Sequence, residues 1–378
     1  MPYSSAAPVW QSTAAGSAIS RRESVAMHPV LEDLIALLEL ERIEDNIFRG
    51  DSRDIGSAQV FGGQVLGQAL SAAQHTVEDR VAHSLHAYFL RRGDMTKPII
   101  YEVDRARDGG SFSTRRVVAI QHGRPIFNLA ASFQTPEEGM EHQADMPVVP
   151  GPDGLKDLFD VPAEVLEKIP MKMRRFLTAQ RPFEFRPVER ISFTEPVNLP
   201  PVKHCWIRAV DKLPHDPALH QNLLAYVSDY ELLGSSVLPH GLNFVSGRVI
   251  MASLDHGLWF HRTCRADRWL LYAIESPNAS GARGFARGQL FTEDGMLVAS
   301  TAQEGLIRVV DTDVSQPRSD PRLQVGARRS VRFSPSPCPV PRRPRPPSRR
   351  LRGRRGIRAT VASGRHRDRR LSGFRSGY

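Results

Sequence analysis

Apolar and polar positions along this chain fall into two series that share one order of elements. A helical pattern runs from Pro29 to Leu40, with a short strand near Ile43 to Arg49. A Gly-opened helix follows, FGGQVLGQALSAAQ, from Phe61 to Gln74. In it Val65, Ala69 and Ala72 recur at helical spacing, with Leu66 and Leu70 beside them. Four strand-like runs come next: His83 to Arg91, Ile99 to Arg107, Ser113 to Gln121 and Pro125 to Gln134. Turn residues punctuate them at Arg107 to Gly110 and His122 to Arg124. The second series opens with a strand from His204 to Val210 and a helix from about Leu219 to Leu238. Its strands follow at Arg248 to Arg262, Arg268 to Ser276, Arg283 to Phe291 and Met296 to Gln303.

An offset of 171 pairs Phe89 with Phe260, Arg91 with Arg262, Tyr101 with Tyr272 and Arg116 with Arg287. The repeated element order makes duplication the better account of these matches. Strand, long helix and four meandering strands predict an α+β chain in which each helix is wrapped by a curved antiparallel sheet. The segment 137–200 is rich in Pro and acidic residues and reads as a linker that also covers part of a site mouth; a helix is expected near Pro162 to Leu177. The expected divisions are a disordered leader (1–27), an N-terminal unit (28–136), the linker (137–200), a C-terminal unit (201–310) and a disordered basic tail (311–378). Met27, just before the first helical pattern, is a candidate true start.

Charge separates body from tail. From Asp311 to Tyr378 there are 19 Arg, no Lys and 4 Asp, whereas the other 310 residues hold 32 basic and 37 acidic side chains. The overall +10 therefore resides in the tail. That tail is too poor in large apolar residues to offset chain entropy. It reads as a disordered extension or a misassigned reading frame, and alternatively as an arm for nucleic acid or another anionic surface. Cys205, Cys264 and Cys338 lack metal-ligand spacing and make no disulfide framework, which fits a cytoplasmic setting. No secretory h-region is present, no run reaches the ~18 apolar residues of a membrane span, and Ser376-Gly377-Tyr378 is not a peroxisomal address.

The stretch VIMASLDHGLWFHR, Val249 to Arg262, places Ser253, Asp255 and His256 close together. Alternation along a strand sends Ser253 and Asp255 one way and His256 the other, which argues against a serine-hydrolase triad. No G-x-S-x-G elbow occurs. Asp255 and His256 then read as structural. His83 and His86 face opposite sides of their strand, and a buried, hydrogen-bonded histidine is the commoner explanation of either.

Several longer runs resemble one family: QVFGGQVLGQAL (Gln59 to Leu70), HSLHAYFLRRGD (His83 to Asp94), SFSTRRVVAIQ (Ser111 to Gln121), SLDHGLWFHR (Ser253 to Arg262), SGARGFARG (Ser280 to Gly288) and ASTAQEGLIR (Ala299 to Arg308). Together they are similar to acyl-CoA thioesterase II, over roughly His28 to Arg308. The resemblance implies a double hotdog: two tandem helix-wrapped sheets forming an intrachain pseudo-dimer. It also implies hydrolysis of fatty acyl-CoA without metal or redox cofactor, and a catalytic set at Asp229, Ser253 and Gln303. Many members carry Thr at the Ser253 position.

Physical reading leaves each residue with alternatives. Ser253 ends an apolar row with Val249 and Met251; it is a site hydroxyl or a strand-end serine bonded to backbone. Asp229 lies on the border of its helix's apolar stripe, as hydrogen-bonded structure or as a base poised by desolvation. Gln303 closes a strand face with Leu297, Ala299 and Thr301, meeting either a water or bulk solvent. Gly62 and Gly63 are candidate oxyanion donors or packing glycines. Arg283 and Arg287, like Arg105, Arg107, Arg115 and Arg116, are candidate CoA-phosphate contacts or solvated sheet-edge charges. A non-hydrolytic acyl-CoA binder on the same fold is the main rival, a nucleic-acid-associated protein the second. Homo-oligomers are expected.

Overall fold

The duplication expected from the 171 offset is visible in the strand order. A computed structural model describes residues 26–310, except 58, 190, 191 and 196. The expectations for the leader up to residue 25 and for the tail lie outside the described residues.

Helix α1 (Pro29–Leu38) leads into a hairpin, β1 (Glu41–Glu44) and β2 (Ile47–Gly50), where one strand was expected. Helix α2 (Gly62–Gln74) is followed by β3 (Val81–Phe89), β4 (Ile99–Asp108), β5 (Phe112–Gln121) and β6 (Arg124–Gln134). The segment 137–200 carries more structure than the sequence predicted. Its expected helix is two, α3 (Ala163–Leu166) and α4 (Met171–Thr178), separated across Pro170. An unexpected strand, β7 (Phe183–Pro187), pairs with β8 (Val202–Ala209).

The second half continues with α5 (Pro217–Ser228), β9 (Val249–Ser253), β10 (Asp255–Phe260), β11 (Leu270–Ser280), β12 (Arg283–Thr292) and β13 (Leu297–Val309). Two expectations are corrected here. The long helix to Leu238 stops ten residues early, and a 3₁₀ segment from Leu233 to His240 contains Pro239, which has no N–H for a helical ladder. The strand Arg248 to Arg262 breaks at Leu254: β9 pairs with β13 alone, while β10 pairs with both β13 and β3.

All thirteen strands form one antiparallel sheet in the order β1-β2-β4-β5-β6-β3-β10-β13-β12-β11-β8-β7, with β9 added on β13. The two halves meet at β3 and β10, where His86 lies opposite Gly257. Those residues differ by 171, so the pseudo-two-fold axis passes through that pair and the register supports the offset read from sequence. This is the double hotdog arrangement. Helices α2 and α5 lie inside the curve, and nearly every residue of α2 is buried. Its small residues, Gly62, Gly63, Gly67, Ala69, Ala72 and Ala73, permit close contact with α5. A Cβ on Gly67 would stand 3.0 Å from the Asn222 carbonyl oxygen.

Candidate active site

The two helices run so that the N-terminus of α2 meets the C-terminus of α5. Asp216 caps α5, its carboxylate accepting the Ala218 amide at 3.0 Å, and Pro217 opens the first turn. At the other end Asp229 is the C-cap residue. A Cβ on Gly62 would lie 2.5 Å from Asp229 Oδ2, and one on Gly63 would lie 2.1 Å from the Tyr226 carbonyl oxygen. Glycine is required here because no side chain fits between the helices. The Gly63 amide faces the Asp229 carboxylate and favours its charged form.

Two side-chain donors reach the same group. Ser253 Oγ, at the end of β9, donates to Asp229 Oδ1 at 3.2 Å. Gln303 Nε2, on β13, donates to that oxygen at 2.6 Å. The structure thus brings Asp229, Ser253 and Gln303 together, with Gly62 and Gly63 beside them. Only 4% of the Asp229 side chain is exposed. Burial pushes its carboxyl up to about 6, and the bonds from Gln303 and Ser253, with the Gly63 amide, limit the rise. Placement at the negative end of α5 acts in the same direction as burial.

Asp229, Ser253 and Gly62 border a cavity of about 270 Å³. Its walls are mainly apolar, with Val60 and Phe61 from just before α2 and Met251 from β9. Leu158, Phe159, Phe176, Leu177 and Phe193 line it from the segment 137–200. That segment is therefore part of the site wall as well as a connection. A second feature was missed from sequence: Lys203 and Glu231, both lining the cavity, form a buried ion pair. Burial lowers the Lys203 pKa. The alternation of β8 contained a signal for Lys203, which shares the inward face of Cys205 and Ile207.

Other candidates stand elsewhere. Arg283 pairs with Glu304 at 2.8 Å and Arg287 with Glu275 at 2.5 Å; both are exposed and neither borders this cavity. His83 bonds Ser132 Oγ at 2.8 Å, and His86 packs edge-on against Trp259. The Ser253–Asp255–His256 triad is not formed: Asp255 accepts the Glu304 amide at 2.6 Å, and Ser253 turns to Asp229. His256, read as structural and facing away from Ser253, has Nδ1 4.0 Å from Asp229 Oδ1. The break at Leu254 explains the difference, because face alternation does not carry across it.

The first half does not repeat this site. Strand register equates Ser253, opposite Gly305, with Ala82, opposite Phe133. It equates Gln303, opposite Ala286, with Ala131, opposite Arg115. Arg115 itself is buried, correcting its reading as a solvated or CoA-facing charge. Its guanidinium bonds Thr76 Oγ1 at 2.8 Å, the Thr76 carbonyl at 2.9 Å and Asp108 at 2.7 Å, just beyond the C-terminus of α2.

Comparison with known proteins agrees with this architecture. Family models described as acyl-CoA thioesterase and as acyl-CoA thioesterase N-terminal domain match residues 174–306 and 49–134. Acyl-CoA thioesterase 2 of Haemophilus influenzae is 45% identical over 283 residues, covering 75% of this chain and 99% of that protein. Human acyl-coenzyme A thioesterase 8 is 41% identical, with 72% of this chain and 88% of that protein covered. Among solved structures, an acyl-CoA thioesterase II from Mycobacterium marinum is 42% identical with a TM-score of 0.60, covering 74% of this chain and 99% of that one. A hot dog fold protein from Alicyclobacillus acidocaldarius, 19% identical, shares the fold with a TM-score of 0.59 over 74% of this chain and 98% of its own. With its two halves, the internal duplication and the matched length, the chain belongs to the acyl-CoA thioesterase II family.

Proposed function

We propose that this protein hydrolyses fatty acyl-CoA to free fatty acid and CoA, with Asp229 as general base. The observation that carries the reading is the convergence of Ser253, Gln303 and the Gly63 amide on one buried carboxylate at the edge of an apolar cavity. Water loses a proton to Asp229, and its oxygen attacks the thioester carbonyl. The C–S bond then breaks, and the proton passes to the departing thiolate. Ser253 and Gln303 fix the base and the water it activates. A carboxyl near 6 is a stronger base than an ordinary aspartate yet ionised at neutral pH. The Gly62 amide, first in α2, is a suitable oxyanion donor at the positive end of the helix. The Gly63 amide already faces Asp229.

The apolar walls suit an acyl chain, and segment 137–200 closes one side of its path. Arg283 and Arg287 have no part in this reading, because each is occupied by a surface carboxylate away from the cavity. The chain is taken to work as a homo-oligomer in the cytoplasm, a setting in keeping with the free thiols of Cys205 and Cys264. No helix among the described residues is long and apolar enough to cross a membrane.

Free-thiol release from a panel of acyl-CoA lengths tests the activity and separates it from simple acyl-CoA binding. The expected pH profile of kcat/KM rises through about 6 and levels above it, because only the ionised carboxyl accepts the proton. A profile flat from pH 5 to 8 would refute the base assignment. Ser253→Ala and Gln303→Ala each remove a hydrogen bond to a charged group. Such a bond is worth about 1.5–3 kcal/mol, or roughly ten- to a hundredfold in kcat. Wild-type kcat in both variants would remove them from the mechanism.

A further inference from the structure

One buried polar atom beside the site has no role in the mechanism above. His256 is 1% exposed, and its Nε2 lies 2.9 Å from Ser228 Oγ. Ser228 gives its only hydroxyl proton to the Ala225 carbonyl at 3.0 Å. With that proton on the Ala225 carbonyl, the Ser228 oxygen accepts, and His256 Nε2 is the protonated nitrogen. In a neutral imidazole Nδ1 is then a bare acceptor. Nδ1 has no hydrogen-bond partner among the described residues and lies 4.0 Å from Asp229 Oδ1. An acceptor facing a carboxylate is repelled by it, but the same acceptor welcomes a protonated carboxyl. The Ser228 contact thus fixes a tautomer that disfavours the charged base and favours its protonated form.

We propose that His256 is a positioning residue for the base: its bare Nδ1 faces the Asp229 carboxylate and accepts a hydrogen bond from that carboxyl once it holds the proton taken from water. The proton moves from water to Asp229, is steadied against Nδ1 by a small approach of the two groups, and leaves with the thiolate. His256 itself stays neutral throughout, as its complete burial favours. The inference rests on Asp229 acting as the base.

Other titratable groups around Asp229 do not supply this acceptor. Tyr226 bonds Tyr230 through their hydroxyls, and Tyr272 bonds Ser228 O and Thr301. Burial keeps all three phenols neutral. Arg53 and Arg181 act on the Tyr226–Tyr230 pair, and Lys203 and Glu231 neutralise each other.

Three variants test the proposal. Ser228→Ala removes the acceptor that holds the proton on Nε2, so the imidazole is free to place it on Nδ1 and donate to Asp229. The midpoint of the kcat/KM profile should then fall by about one pH unit, and kcat by about tenfold. His256→Asn keeps an amide oxygen near the Nδ1 position and should retain most of kcat. His256→Gln keeps a donor towards Ser228, lacks the acceptor facing Asp229, and should lose kcat and lower the midpoint as Ser228→Ala does. A merely structural histidine predicts the opposite order, with Gln rescuing and Asn failing. An unchanged midpoint in Ser228→Ala overturns the proposal even if both His256 variants fail to fold. Loss of turnover in Asp229→Asn alongside that unchanged midpoint would leave the base assignment standing and remove His256 alone.

Discussion

Asp229→Asn leaves a folded protein whose thioester hydrolysis at pH 8 falls by about 10²- to 10⁴-fold, the range of a lost general base. The amide has nearly the volume of the carboxyl, so the cavity wall keeps its shape. Its NH₂ cannot accept the water's proton, and it faces donors at Ser253, Gln303 and Gly63 that previously met a charge. Substrate binding should change little, so the loss appears in kcat rather than KM. Stability should move the other way. The folded-state pKa of about 6 lies above the ordinary carboxyl value of 3.8, so the folded protein holds this proton more tightly than the unfolded chain does. That contribution is fully present below about pH 4 and is lost as pH rises through about 6. At pH 8 the ionised carboxyl thus costs on the order of 2–3 kcal/mol, which the neutral amide avoids. Equal or higher Tm at pH 8, with turnover lost, is the expected pair of results. Retained turnover would end the assignment of Asp229 as base.

Gly63→Ala is expected to damage fold and turnover together. The new Cβ would stand 2.1 Å from a backbone oxygen, that of Tyr226, and 2.5 Å from the Phe61 ring. A ring edge can swing away, but the carbonyl moves only if α5 moves. Overpacking of this kind costs about 1–3 kcal/mol, a Tm loss of several degrees at this chain length. The shift occurs three residues before Asp229 and disturbs the amide that faces the carboxylate. Misplacement by about 1 Å can cost a hundredfold in rate. Gly110→Ala, at a turn with nothing within 4 Å of the new Cβ, is the control and should match wild type. Wild-type Tm and kcat in Gly63→Ala would mean that the helices are not in the contact described.

Much of the sheet was legible because alternation is a local signal. The runs at β3 to β6 and β10 to β13 follow it, and the 171 offset reappears in the register of β3 against β10. The errors arose where a local pattern continued after the chain had turned. Tyr230, Leu233 and Val237 extended the apolar period past Ser228, so Asp229 was placed mid-helix rather than at its end. The break at Leu254 invalidated the alternation used for His256, and β7 was hidden in five residues of a Pro-rich stretch. The contact of Gly63 with Asp229 joins residues far apart in sequence, and no periodicity reports it. Asp229, Ser253 and Gln303 were named through family resemblance; sequence physics alone left each one open.

Arg115 bears on how such a chain came to be fixed. In a dimer of identical units, both copies of a pocket must suit catalysis. Here the strand position that Ala286 fills in one half is Arg115 in the other, its guanidinium bonded to Thr76 and Asp108, and α5 begins with Pro217, which has no N–H, and Ala218, whose N–H belongs to Asp216. Neither half holds the whole of the proposed site: one supplies the acid, hydroxyl and amide, the other the glycine helix start. Separating the halves and pairing each with itself would give one assembly with no base and another with no glycine turn. A site of this kind needs two unlike halves side by side, and evolution back to identical subunits would have to rebuild both missing parts at once.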